Sequence, residues 1–144
     1  MFKLDLDQRL DFWLNFRRTF DNTKDPLQEV SNLWVSAPFI PKNHKIDPFN
    51  SQSWPTPWEI VSENRYDDFT RALMIGWTLK LSKKYCDSNI IIKTYIDKER
   101  QREYNMVCID DIWVLNYSDH GPVGIESIPE SFRLENLIEL QAPR

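Results

Sequence analysis

The chain has 144 residues, the size of one ordinary domain with its own core. Its net charge of −4 argues against binding to phosphate backbones, which requires a basic surface. No stretch approaches the roughly 18 consecutive apolar residues of a membrane-spanning helix. We therefore expect a single domain over 1–144, with neither nucleic acid nor membrane as a partner.

The chain contains two cysteines, Cys86 and Cys108, and two histidines, His44 and His120. Their spacing fits neither a zinc site nor a disulfide framework, so we expect no metal and no cofactor. The start of the chain lacks an apolar run of signal-peptide type, which favours a reducing cytoplasm. Serine-nucleophile motifs and glycine-rich phosphate loops are also missing, and three glycines leave little room for them.

Two short helices are predicted in an N-terminal module at 1–35. Apolar residues at helical spacing predict the first helix over 7–20. Asp25 and Pro26 form a cap and first-turn pair that opens the second. The first helix is expected to turn three arginines outward: Arg9, Arg17 and Arg18. Helices this short are unstable alone, so the module must pack on this chain's core or on another protein.

Residues 36–55 contain four prolines and show no period. A structureless connection of this length is uncommon inside a compact domain and is usually functional or bound to a partner. The alternative is an ordered belt across the domain's own surface. Because aromatic residues are enriched in interface hot spots, we assign four candidate protein-binding residues in and beside this segment: Phe39, Phe49, Trp54 and Trp58.

The core is expected over 56–144 and begins with two helices. Thr56 is a suitable N-cap for a short helix that breaks around 62–65. The next helix, within 67–82, is apolar nearly all round, which indicates burial on more than one side. Glycine is costly in a helix interior, so Gly76 indicates close contact with a neighbouring element.

After this helix the apolar period changes from that of a helix to that of a strand. The expected strands are 90–96, 104–109, 112–117 and, at an edge, 123–128. The connections between them are short, so neighbouring strands should be antiparallel. Residues 129–132 are predicted to form a helical turn, and 133–141 either a short helix or an edge strand. The predicted architecture is α+β: N-terminal helices and one buried central helix packed on a three- to four-stranded antiparallel meander.

A helix followed by three antiparallel strands resembles the core of the transglutaminase-like and papain-like cysteine hydrolases. In that core a Cys opens the helix, a His lies on the second strand and an Asp or Asn lies on the third. The motif RYDDFT is similar to the family's helix start, roughly Cys-x-Asp-x-Ala. The resemblance covers about 64–117 and implies a degenerate triad at three positions: Tyr66, Asn105 and Asn116.

The residues at these positions argue against catalysis. Nucleophilic catalysis requires a thiolate and an adjacent base, which a tyrosine and two asparagines do not supply. We therefore expect no enzyme, and we expect Tyr66, Asn105 and Asn116 to form a structural cluster of mutual hydrogen bonds. A cysteine hydrolase that uses Cys86 or Cys108 is a minor alternative.

Four motifs spread along the chain resemble those of small proteins of tailed bacteriophages, particularly phages of marine cyanobacteria: SWPTPWE, RYDDFT, WVLNYSD and LENLIELQAPR. The resemblance implies a place in the virion or in the host cytoplasm, with other proteins as partners. We expect a non-catalytic structural component of the neck, tail or baseplate. An oligomeric state is compatible with this role. A soluble adaptor or inhibitor that binds a host protein is the alternative.

Overall fold

A computed structural model describes residues 1–143, with helices first and strands after them; Arg144, which ends the last motif, lies outside the described residues. The helices are α1 (Leu6–Thr19), α2 (Pro26–Val35), α3 (Pro57–Glu63) and α4 (Asp68–Lys80). The strands are β1 (Ile90–Asp97), β2 (Arg102–Ile109), β3 (Trp113–Ser118), β4 (Gly121–Gly124) and β5 (Arg133–Glu139). The predicted α+β architecture is confirmed, with one more strand than the upper estimate.

Local capping chemistry separates α3 from α4. The side-chain oxygen of Thr56 accepts the backbone N–H of Glu59 at the start of α3. That helix ends at Asn64, whose φ of 57° lies in the left-handed region that asparagine tolerates. The carboxylate of Asp67 then caps α4 by accepting the N–H and hydroxyl of Thr70. The predicted break between the two helices is confirmed.

The five strands form one antiparallel sheet in the order β4-β3-β2-β1-β5. The last strand lies beside β1, at the edge opposite β4, so the sheet is not the simple meander that was expected. The ambiguity over 133–141 is resolved, because Arg133–Glu139 is an edge strand.

Two expectations about the segment before β5 are wrong. The fourth strand ends at Gly124 and does not reach 128, because the chain turns into a 3-10 helix at Ile125–Ser127. The helical turn therefore precedes 129–132, where the N–H of Phe132 donates to the carbonyl of Pro129 in a simple turn. These residues carry the chain from one sheet edge to the other.

That connection covers the face of the sheet that α4 does not. Apolar side chains of β2 and β3 form a second cluster there, and Ile125, Ile128 and Phe132 pack on it. The ring of Phe132 stacks on Tyr104 with 5.3 Å between centroids. Both faces of the sheet are thereby buried over its central strands.

The central helix is buried as predicted. Every residue from 72 to 79 is buried, because α4 lies on β1, β2 and β3 on one side and on α2 on another. A Cβ at Gly76 would lie 2.5 Å from Cδ2 of Leu140 and 3.5 Å from Cγ2 of Ile90. The predicted close contact at this glycine is confirmed.

The N-terminal helices pack on the core of their own chain. The indole N–H groups of Trp13 in α1 and Trp34 in α2 both donate to Oγ1 of Thr78 in α4, each at 3.1 Å. The hydroxyl of Thr78 donates in turn to the carbonyl of Met74 at 2.6 Å. All four residues are fully buried, so one hydroxyl group joins three helices.

Two of the three arginines of α1 do not point outward as expected. The guanidinium of Arg17 lies 4.2 Å from the ring centroid of Trp13, and burial lowers its pKa. Arg9 donates to two backbone carbonyls of α3. Long basic side chains can cover apolar surface while their head groups hydrogen-bond to acceptors. The third arginine, Arg18, is exposed as expected.

Residues 36–55, hereafter the belt, follow the surface of their own domain. The N–H of Ile40 donates to the carbonyl of Tyr66, and the N–H of Tyr66 donates to the carbonyl of Pro38. Ile46 is buried in the core beneath the belt. The ordered-belt alternative is the one that the structure shows.

Trp54, at the end of the belt, is 6% exposed and is therefore not a surface residue as expected. Its ring meets Phe69 and Trp77 edge-on, and its indole N–H donates to the carbonyl of Asp47 at 2.6 Å. The apolar surface of α4 draws this side chain inward. Within residues 1–143, no helix has both the length and the apolar character needed to cross a membrane.

We predict that Thr78→Val lowers the free energy of unfolding by about 2–4 kcal/mol, because two buried indole N–H groups lose their acceptor. Urea unfolding followed by far-UV circular dichroism measures the change. Thr78→Ser keeps the hydroxyl and should cost only about 1 kcal/mol for the lost methyl group. Equal losses in the two variants would contradict the role of the hydroxyl.

Candidate functional site

The start of α4 meets β2 and β3 through a group of polar side chains, hereafter the polar cluster: Asp68, Thr94, Asn105 and Asn116. Oδ2 of Asp68 accepts the backbone N–H of Asn105 at 3.1 Å and its Nδ2 at 2.9 Å. Oδ1 of Asp68 accepts Nδ2 of Asn116 at 3.3 Å. The same Nδ2 donates to the carbonyl of Asn105 at 2.8 Å, and Thr94 donates its hydroxyl to Oδ1 of Asn105 at 2.8 Å. One carboxylate therefore ties the helix to two strands.

The strands place these side chains by their alternation and by one irregularity. Thr94 and Asn105 are cross-strand partners, and Thr94 continues the inward-facing series of Ile90 and Ile92. Asn116 has a φ of 64°, in the left-handed region, where the register of β3 with β4 shifts. This local bend accompanies the hydrogen bonds of its amide to α4.

The structure brings together two of the three predicted triad positions. Asn105 and Asn116 are hydrogen-bonded to each other, but Tyr66 does not join them. Its ring contacts Phe2 and Trp34, with centroids 5.7 and 5.5 Å away. Its hydroxyl is buried without a hydrogen-bond partner among residues 1–143, and burial raises its pKa. The predicted hydrogen bonding of Tyr66 is wrong, because the residue precedes the helix and its backbone pairs with the belt.

Sequence reasoning missed Asp68, which takes the place expected for Tyr66 in the cluster. Asp67 and Asp68 stood out only as neighbouring carboxylates near the positive end of a helix. A usable signal lay in the strands, where Thr94 and Asn105 are polar residues at inward-facing positions. Such residues need a buried partner, but the sequence does not show which helix end supplies it.

The charges and hydrogen bonds of the polar cluster favour a structural role over a catalytic one. Burial raises the pKa of Asp68, while hydrogen bonds from Asn105 and Asn116 and the charge of Arg71 oppose that rise. The side chains that hydrogen-bond to this carboxylate are both amides, which neither take up nor release a proton near neutral pH. The cluster thus contains an acceptor but no paired nucleophile and base.

The two thiols lie elsewhere. Cys86 is exposed, and its Sγ donates to the carbonyl of Lys83. Cys108 is 2% exposed in the second apolar cluster, and burial raises its pKa. Neither His44 nor His120 hydrogen-bonds to a thiol in the described part of the chain. The same residues contain no group of three or more His, Cys, Asp or Glu side chains that could hold a metal ion.

A cleft of about 640 Å³, hereafter the cleft, opens beside the polar cluster. One wall is formed by belt residues between 41 and 49, and the other by the start of α4 and the inward-facing residues of β1 and β2. Three members of the polar cluster reach its surface: Asp68, Thr94 and Asn105. The cleft thus adjoins Asn105, one of the three predicted triad positions.

Three of the four candidate protein-binding residues reach the surface. Phe49, at the rim of the cleft, is 78% exposed, and Phe39 is 61% exposed. Trp58 is 38% exposed and meets Trp13 edge-on at 6.1 Å. The fourth, Trp54, is buried. The two most exposed aromatic side chains of the described residues, Phe39 and Phe49, thus lie on the belt, while Phe12, Trp58 and Trp113 are less exposed and lie outside it.

We predict that Asn105→Ala lowers the free energy of unfolding by about 1–3 kcal/mol, because Asp68 loses a donor and Thr94 loses an acceptor. Urea unfolding measures this change in the free energy of unfolding. Asn89→Ala is the matched control, since Asn89 is exposed and its side chain makes no hydrogen bond with residues 1–143. A loss no larger than that of the control would show that the polar cluster does not stabilise the fold.

Neither a scan against protein-family models nor a search of curated proteins finds a match to this chain.

Proposed function

We propose that this chain is a non-catalytic protein that acts by binding another protein, as a structural component of a tailed-bacteriophage particle. The observation that carries the binding role is the exposure of Phe49 and Phe39, at 78% and 61% the most exposed large apolar side chains of the described residues. Both lie on the belt, which backbone hydrogen bonds and buried anchors hold in place. Exposed aromatic groups on an ordered surface are typical of binding sites. The place in a particle rests on the resemblance of the four motifs.

The polar cluster supports the absence of catalysis. Nucleophilic catalysis requires a nucleophile within hydrogen-bond reach of a base. Asp68 hydrogen-bonds instead to two asparagines, and the thiols of Cys86 and Cys108 are bonded or buried elsewhere. The arrangement stabilises the junction of helix and sheet.

We expect mass spectrometry of purified particles of the encoding phage to find this chain. A variant that carries Phe39→Ser and Phe49→Ser should be lost from the particles, because its exposed apolar contacts are removed. Ile112→Ser, at a residue 56% exposed in the turn between β2 and β3, is the matched control and should be retained.

Absence of the unaltered chain from the particles would overturn the structural role. Recovery of one host protein with the unpackaged chain, at unit stoichiometry, would then favour the soluble adaptor or inhibitor.

The minor alternative, a cysteine hydrolase, makes a different prediction about the thiols. We expect iodoacetamide at neutral pH to modify Cys86 no faster than a model thiol of pKa about 8.5, and Cys108 more slowly because it is buried. Mass spectrometry of digests taken over time measures both rates, with Cys86→Ser and Cys108→Ser to assign them. Modification of either residue much faster than the model thiol would contradict the non-catalytic proposal.

A further inference from the structure

The cleft beside the polar cluster has an excess of negative charge. Four carboxylates line it against one ammonium group, that of Lys42: Asp47, Asp67, Asp68 and Glu103. Neither of the ion pairs formed within residues 1–143 involves any of these four. Asp67 and Asp68 are half-buried, and Asp47 and Glu103 are exposed. Charge of one sign that is gathered in a concave surface attracts a ligand of the opposite sign.

Glu103 is the carboxylate that has most to gain from a cation. Its three neighbours in the cleft each accept a backbone N–H group of this chain. The carboxylate of Glu103 accepts no hydrogen bond from residues 1–143. Burial raises its pKa, and the nearby charges of Asp68 and Asp67 raise it further, while Lys42 opposes them. The charges that act on Glu103 are thus mainly negative.

Two amide groups at the cleft are donors without acceptors. Asn43 is 8% exposed, and although its Oδ1 accepts the N–H of Lys45, its Nδ2 donates to no group of residues 1–143. Nδ2 of Asn136 is inaccessible to solvent and has no partner in the same part of the chain. Both residues line the cleft. Because the polar groups of buried residues are nearly always paired, the unpaired amide donor of Asn43 indicates an acceptor that a ligand supplies.

Apolar side chains also line the cleft. Phe49 stands at the rim, and Ile46 and Phe69 also line the cleft. A lysine or arginine side chain fits this combination, since it carries a charged head on an aliphatic stem and can lie against an aromatic ring. A bare metal ion has no stem to lie against the ring, and the described residues contain no group of three or more His, Cys, Asp or Glu side chains that could hold one.

We propose that the cleft binds an extended basic segment of another protein. A lysine or arginine head group of that segment pairs with Glu103, and its stem lies against Phe49. A backbone carbonyl of the segment accepts from Nδ2 of Asn43. This inference rests on the proposed function, because it names the chemistry that a binding partner presents to the belt.

The test uses the full-length, isotopically labelled protein and acetyl-Gly-Ala-Lys-Ala-Gly-amide as the probe, followed by two-dimensional amide NMR. Arginine, norleucine and glutamate versions of the peptide are the matched ligands. We expect the lysine and arginine peptides to shift the side-chain amide signals of Asn43 and Asn136. The norleucine peptide should bind about tenfold or more weakly, because it lacks the charge-assisted hydrogen bonds. Raising the salt from about 50 to about 300 mM should weaken the binding.

Two variants locate the binding. Glu103→Gln keeps the shape of the side chain and removes its charge. It should lower the affinity for the lysine peptide about threefold to tenfold. Glu130→Gln, at an exposed residue between β4 and β5 and outside the cleft, should leave the affinity unchanged. Circular dichroism checks that both variants fold.

The inference would be overturned if the norleucine peptide bound equally well or if Glu103→Gln left the affinity unchanged. It would also be overturned by shifts confined to another surface, or by no shift at about 10 mM peptide, a level that detects millimolar affinity. The proposed function would survive that result if the chain were still found in particles and lost from them in the double phenylalanine variant.

Discussion

The hydroxyl group of Thr78 is the contact on which the helical half of the molecule depends. It accepts the indole N–H groups of Trp13 and Trp34 and donates to the carbonyl of Met74. A hydroxyl has two acceptor sites and one donor, so its whole capacity is used. Two indoles can be fully buried here only because each N–H finds this oxygen. The bulk of both rings then holds α1 and α2, which are too short to be stable alone, on α4.

The same helix organises the polar end of the fold. The positive end of the α4 dipole favours a carboxylate, and Asp68 places one where β2 and β3 come close. Asn105 and Asn116 donate their side-chain N–H groups to the carboxylate of Asp68, and these hydrogen bonds join α4 to the sheet. A donor amide cannot remove a proton from a nucleophile, so the features that make this junction stable also make it unsuitable for nucleophilic catalysis.

The belt places exposed aromatic side chains beside this junction. Its anchors, Ile46 and Trp54, are buried against the core, while its backbone pairs with Tyr66. Phe39 and Phe49 remain exposed on the same segment. Exposed apolar surface of this kind is costly in water unless another molecule covers it. The proposed preference for basic partners rests on the negative charge of the cleft beside Phe49.

Local patterns in the sequence determined the helix starts at Thr56 and Asp25, the burial of α4, the tight contact at Gly76 and the three strands from β1 to β3, because caps and periodicity depend on residues close in the chain. Only the tertiary structure decided that β5 pairs with β1, that Trp54 is buried and that Asp68, not Tyr66, meets the two asparagines. These outcomes depend on contacts between residues far apart in the chain. A shift of two residues at the start of α4 separates a side chain that faces α2 from one that faces the sheet, and no local pattern encodes which face the sheet will occupy.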